Sequence, residues 1–203
     1  MTAGRRRRFG RRGPRLRAEM MPTANTYESV QSPLAEMFPG YPAGTFQLDP
    51  AERGALDDAR RVLLPAAGRI VEEFYDHLCA MPEAPQVLRD ERKLRSLKSA
   101  MKRWVEEALL RPVPGDRSRR RMERVGVCHL RIGTSLSDIV KAFAAMQRVC
   151  RDALRDAVRT GGLPSRSYPA VLEAVRKRLC TEQLGFVAVY LKDMIGQVGT
   201  RGR

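Results

Sequence analysis

The sequence has few of the residues from which metal sites and active sites are usually built. Its 203 residues include two histidines, four cysteines and one tryptophan. The cysteines form no CxxC pair and show no zinc-ligand spacing, so we expect reduced thiols that pack as small hydrophobic groups on helical faces. No apolar run approaches the roughly 18 residues of a membrane-spanning helix. Glycine-rich phosphate loops, G-x-S-x-G and HExxH are absent, and we therefore expect no enzyme.

The positive charge is distributed unevenly along the chain. Residues 1–20 contain eight arginines and one glutamate, nearly half of the net charge of +15. We expect residues 1–21 to form a disordered, Arg-rich tail. A start of translation at Met20 or Met21 is the alternative. Nucleic-acid binding would depend on charge alone, because the chain shows neither interleaved aromatic residues nor a helix-turn-helix pattern, and it is therefore not favoured.

The remainder of the sequence predicts an all-α domain. Residues 22–47, rich in proline and glycine, are expected to form an irregular arm with one short helical turn near 34–38. From Leu48 onward apolar residues recur at helical spacing, and no segment alternates as a strand does. The predicted helices cover about 49–63, 65–81, 94–109, a segment from 116, 136–160 and 168–195. We expect six to eight helices between residues 48 and 198, followed by a short C-terminal tail at 199–203.

The most informative segment is VGVCHLRIG, residues 125–133, with His129 at its centre. One helical face combines Met122, Val125, His129 and Ile132. Gly126 and Gly133 flank the histidine, and we expect them to let a bulky planar group approach closely. A neutral imidazole on an apolar wall has the chemistry of an axial ligand to haem iron. A histidine packed in the core is the alternative.

Four segments in this order resemble the globin domain of globin-coupled sensors and the related protoglobins. They are FYDHL at 74–78, LRSLKSAMKRW at 94–104, VGVCHLRIG at 125–133, and the segment from Glu182 to the late Tyr190. The resemblance covers roughly residues 48–198 and implies a globin-like fold. One departure is that Asp138 and Ile139 occupy positions where the family often has an aromatic pair.

The resemblance also implies haem b (iron protoporphyrin IX) as the cofactor. His129 would be the proximal ligand of the iron, with its second ring nitrogen bonded to an acceptor such as a backbone carbonyl. Tyr75 would donate a hydrogen bond to bound O2. The candidates for the pocket wall, each equally explained as ordinary core, are Phe74, Leu97, Met101, Trp104, Val125, Ile132 and Phe143. Met101 is also a candidate sixth ligand through its thioether sulfur.

The function expected from the resemblance is reversible binding of O2, with NO and CO as other ligands, in a cytoplasmic gas sensor that lacks its own output domain. The signal would leave through a partner protein or through a homodimer built by the last two long helices. Two alternatives stay open. The first is a haem globin for O2 storage or for removal of NO and other reactive species. The second is a haem-free globin-like module that binds proteins.

Overall fold

The computed structural model describes residues 48–81, 86–110 and 115–201, with side chains except at 108, 115–119 and 197–201. These residues form helices and turns and contain no strand, which confirms the prediction of an all-α globin-like fold. The helices are α1 (Pro50–Leu63), α2 (Ala67–Cys79), α3 (Glu91–Trp104), α4 (Gly115–Arg131), α5 (Leu136–Arg159) and α6 (Tyr168–Arg201). The tail predicted at 1–21, the arm at 22–47 and residues 202–203 lie outside the described residues.

Side-chain caps determine where several helices begin. Asp49 and Glu52 form a capping box at α1, in which each side chain accepts a hydrogen bond of 2.8 Å from the other residue's backbone N–H. Ser135 and Asp138 form the same motif at α5, so Asp138 has a structural role at the position where the family often has an aromatic residue. The third helix begins three residues earlier than predicted, because the Asp90 side chain accepts hydrogen bonds from the backbone of the first helical turn.

The third helix also ends earlier than predicted. Its α-helical hydrogen bonding ends at Trp104, and Val105–Leu109 form one turn of wider π-helix. Val105, Leu109 and the following Leu110 are fully buried. The wider turn therefore directs three apolar side chains into the core at the point where α3 ends.

The last helix, α6, is the centre of the fold. It packs against α4, α1 and α5, while α2 packs on α5 and α3 packs mainly on α2. Its apolar residues point in several directions, as expected for a helix that is covered on more than one side. An ion pair of 2.8 Å between Lys177 and Glu52 joins α6 to α1, and one of 3.1 Å between Arg69 and Asp156 joins α2 to α5. Within the three described ranges, no helix is long and apolar enough to cross a membrane.

Candidate functional site

His129 lies in the last turn of α4 and is partly buried. Its Nδ1 is 2.9 Å from the carbonyl oxygen of Val125, one helical turn earlier. A carbonyl can only accept, so Nδ1 carries the hydrogen, and Nε2 of the neutral ring is the nitrogen with a free lone pair. No described residue hydrogen-bonds to Nε2. The ring is therefore oriented as an electron-pair donor through Nε2.

One phenylalanine contacts the His129 imidazole, and a second phenylalanine packs against the first. The ring centroids of His129 and Phe186 are 5.2 Å apart, with an interplanar angle of 74°. Phe186 in turn meets Phe143 of α5 edge to face at 5.5 Å. The predicted wall residue Phe143 thus reaches His129 through Phe186, which the sequence analysis missed. The available signal was its position one turn before Tyr190 in the segment that resembles the closing helix.

The two glycines beside His129 have roles other than the one predicted. Gly126 faces α6, where an added Cβ would lie 3.2 Å from Val189 Cγ2 and 3.4 Å from Phe186 Cα. Gly133 has a φ of +80° and ends α4. Both glycines were expected to admit a planar group. That expectation is wrong for Gly126, which permits close packing against α6, whereas Gly133 permits the left-handed turn after the helix and has no atom within 4 Å of an added Cβ.

The turn after α4 is joined to the last helix. Thr134 N–H donates to the His129 carbonyl at 3.0 Å, and Gly133 N–H donates to the Leu130 carbonyl at 3.0 Å, which together form a Schellman motif. The buried Tyr190 hydroxyl donates to the Thr134 carbonyl at 2.8 Å. Burial, with the nearby Asp138, raises the pKa of Tyr190, so the hydroxyl keeps its proton. The end of the His129 helix is thereby attached to α6.

Tyr75 and Phe74 lie together on α2, exposed by 5% and 4%. Their rings meet edge to face at 5.1 Å. Burial raises the pKa of Tyr75 well above its ordinary value, and the Cys79 thiol on the next turn raises it further. No hydrogen bond to the Tyr75 hydroxyl is made within the part of the chain that the structure describes. Tyr75 is therefore a buried, protonated donor whose hydroxyl is not used by the surrounding helices.

The predicted wall residues on α3 are covered only in part. Leu97, Met101 and Trp104 are partly buried, and no residue of α3 is fully buried, although its apolar side chains share one face. Lys98, next to Leu97, pairs with Glu72 of α2. Helix α3 rests mainly on α2, and α4 rests mainly on α6. The apolar face of α3 thus packs against the core but is covered by it only in part.

On α4, the residues of the predicted apolar face differ in burial. Met122 is 4% exposed, Val125 is partly buried like His129, and Ile132 is 68% exposed. Ile132 lies between the end of α4 at Arg131 and the turn at Gly133, and its side chain lies outside the packed core. Ile132 thus follows the helical spacing of Met122, Val125 and His129, but the core does not cover it.

A buried carboxylate, missed by the sequence analysis, lies on α6. Glu182 is 0% exposed, and its Oε1 is 2.8 Å from the guanidinium of Arg178. Arg121 of α4 approaches Oε2 at 3.1 Å, and the indole N–H of Trp104 donates to the same oxygen at 3.4 Å. Burial lowers the pKa of Arg178, an effect that Glu182 opposes and Arg121 reinforces. Glu182 is the only charged residue between Arg178 and Lys192, and this was the sequence signal for the cluster.

Comparison with known proteins identifies the family. The sequence pattern that defines the protoglobins matches residues 41–195, most of the chain. The chain belongs to the protoglobin family. This confirms the resemblance stated above. No curated protein matches the sequence.

Solved structures agree with the fold of this protoglobin. The crystal structure of the globin domain of E. coli DosC in its ferrous form is similar, with a TM-score of 0.59, 22% identity, and coverage of 69% of this chain and 90% of that one. The ferric form of the same domain gives a TM-score of 0.59 and 22% identity, with coverage of 70% and 91%. At this identity the likeness shows the fold alone.

A globin family implies haem, and the residues present can be compared with what haem requires. Three features fit: an imidazole with Nε2 as its lone-pair nitrogen, a buried phenol with an unused donor, and apolar side chains on α3 and α4 that the core leaves partly or fully uncovered. No cluster of three or more His, Cys, Asp or Glu suited to a bare metal ion is found among the described residues. The donor set therefore fits haem, with His129 as the candidate ligand.

Proposed function

We propose that this protein binds haem b and acts as a gas sensor that binds O2 reversibly, with NO and CO as further ligands. The observation that supports the proposal most directly is the 2.9 Å hydrogen bond from His129 Nδ1 to the Val125 carbonyl. It selects the tautomer with Nε2 as the metal-binding nitrogen and increases the electron donation of the ring.

Haem b, when bound, supplies an iron centre that binds diatomic gases. His129 donates an electron pair from Nε2, and Phe186 restricts rotation of the imidazole. Tyr75 keeps its proton and donates a hydrogen bond to a ligand atom that bears partial negative charge. A hydrogen bond of this charge-assisted kind contributes about 1.5–3 kcal/mol, or roughly ten- to a hundredfold in affinity. The phenol thus favours O2 over the less polar CO.

The proposed wall of the site combines the partly buried apolar side chains of α3 with the exposed Ile132, which directly follows α4. An apolar macrocycle between these helices would remove their uncovered surface from water, which contributes about 25 cal/mol per Å² of apolar area. Met101 belongs to this group. Its thioether as a sixth iron ligand is the alternative to an open position.

A sensing role is supported by the attachment of the His129 helix to α6. Tyr190 joins the turn after His129 to α6 at 2.8 Å, so a shift of α4 is transmitted to that helix. Val140 on α5 and Met194 and Ile195 on α6 are exposed apolar residues, as expected where these two helices form a homodimer. The signal would leave through that dimer or through a partner protein in the cytoplasm, without an enzymatic step in this chain.

The proposal is tested by visible absorption spectra of the protein purified with haem supplied, in ferric, ferrous and CO-bound states. We expect a strong Soret band that shifts with CO, and its loss or alteration in His129→Ala. His77→Ala is the matched control, because His77 is the second histidine and is exposed on α2. Native protein without stoichiometric haem, or His129→Ala with native spectra, would refute the proposal.

The distal role of Tyr75 and the sensing role need separate measurements. Tyr75→Phe is expected to raise the O2 dissociation rate about ten- to a hundredfold and to change CO dissociation far less. Equal effects on both gases would contradict donation to O2. Analytical ultracentrifugation with and without CO tests signalling through the dimer. Self-association that is identical in both states would rule out the dimer as the route of the signal and leave the partner protein as the route.

A further inference from the structure

Glu182 connects the two helices that flank the proposed site. Its carboxylate accepts from Trp104 at 3.4 Å and from Arg121 at 3.1 Å, and it pairs with Arg178 on its own helix at 2.8 Å. Trp104 is the last residue of α3, and Arg121 lies two helical turns before His129 on α4. One buried side chain on α6 is therefore the common acceptor for α3 and α4.

Complete burial makes this arrangement rigid. A carboxylate that is 0% exposed has lost its hydration and depends on protein donors. Hydrogen bonds to an ionised acceptor are stronger and more directional than neutral ones, and removing one partner of a buried pair is costly. Small displacements of Trp104 or Arg121 relative to α6 are therefore opposed, while the remainder of α3 rests mainly on α2.

We propose that Glu182 is a positioning residue of the haem site, which holds the end of α3 and the first half of α4 at a set separation across that site. The inference rests on the proposed function. Glu182 itself does not contact the gas ligand. Its effect is on the width and shape of the space between Trp104 and His129, and so on how readily a diatomic ligand enters and leaves.

The chain contains a matched control for this role. Glu52 forms a similar ion pair at 2.8 Å with Lys177, also on α6, but it joins α6 to α1, away from α3 and α4. Glu182→Gln and Glu52→Gln each replace a carboxylate by an amide in an ion pair that involves a residue of α6. Trp104→Phe removes the indole donor and keeps a smaller aromatic ring, so it tests the same connection from the side of α3.

The first measurement needs no haem. Trp104 is the only tryptophan in the sequence, so the intrinsic fluorescence of the haem-free protein reports on this residue. We expect Glu182→Gln to shift the emission maximum, because the indole loses a charged acceptor, and Glu52→Gln to leave it unchanged. Identical emission in all three proteins would overturn the inference.

The second measurement uses haem-loaded protein and flash photolysis of CO. We expect Glu182→Gln and Trp104→Phe to change the CO association rate several-fold. Glu52→Gln should retain the native rate, even if it lowers the urea midpoint of unfolding as much as Glu182→Gln does. Native CO rates in Glu182→Gln, or equal changes in Glu182→Gln and Glu52→Gln, would overturn the positioning role and leave the haem function intact. Failure of the native chain to bind haem would instead refute the proposed function, and this inference with it.

Discussion

Replacing Gly126 by alanine adds a methyl group where α4 packs closely against α6. The new Cβ would lie 3.2 Å from Val189 Cγ2 and 3.4 Å from the Cα of Phe186. The valine methyl can move by a few tenths of an ångström, whereas the Phe186 backbone belongs to a packed helix. Phe186 also contacts the imidazole of His129. The substitution is therefore expected to displace Phe186 and, through it, the imidazole of His129, the proposed iron ligand.

The size of the effect follows from two opposing contributions. Alanine is favoured over glycine within a helix by about 1 kcal/mol. Overpacking a tight contact costs about 1–3 kcal/mol, and the lower end applies because the overlap is small. The net change at Gly126 is therefore close to zero. Gly54 of α1 has no atom within 4 Å of its added Cβ, so Gly54→Ala should retain the full gain of about 1 kcal/mol.

Thermal unfolding followed by circular dichroism measures this difference. We expect the Tm of Gly126→Ala to lie about 2–4 °C below that of Gly54→Ala, the shift that about 1 kcal/mol produces in a chain of this size. The haem-loaded Gly126→Ala protein should also show an altered ferrous spectrum. If the two variants are equally stabilised, α4 and α6 do not approach each other as closely as described.

Two further predictions concern ionisation and thiol access. Because burial raises the pKa of Tyr75 above its ordinary value of about 10, its contribution to stability is complete below that pH and is lost as the pH rises further. Tyr75→Phe should therefore reduce the alkaline decline of the urea midpoint, and an unchanged decline would contradict this. Burial also raises the pKa of Cys150 to about 12, while Cys79 and Cys128 are exposed. A disulfide reagent at about pH 8 should modify the two exposed thiols first and Cys150 only on unfolding; early labelling of Cys150 would show that its surroundings open.

Local features of the sequence were sufficient to predict most of the fold. Asp49 and Ser135 cap helices through neighbouring residues, and apolar periodicity marks the faces that pack. The VGVCHLRIG segment likewise identified His129 as the candidate ligand within one helix. Errors arose where the local pattern was ambiguous. Asp90 caps α3 before its first apolar residue, and the wider turn at Val105–Leu109 is indistinguishable from α-helix in periodicity.

The support around the site depends on contacts between distant parts of the chain, which periodicity does not reveal. Phe186 and Glu182 belong to the last helix, but they act on His129, Trp104 and Arg121 of earlier helices. The role of Gly126 was wrongly predicted for the same reason: a glycine permits close approach without specifying which group approaches. The cysteines show a similar limit, because two that were expected to pack as small apolar groups are exposed.

The Schellman turn has an electrostatic consequence for the residue just before it. His129 lies in the final turn of α4, where the aligned peptide dipoles place the negative end of the helix. A positive charge near such an end is stabilised by about 0.3–1 kcal/mol. An imidazole in this position is a stronger donor to a cationic metal than one in mid-helix, and the preference increases with the charge of the metal. If iron binds at His129 as proposed, the backbone of α4 would favour its oxidised over its reduced form and would lower its reduction potential.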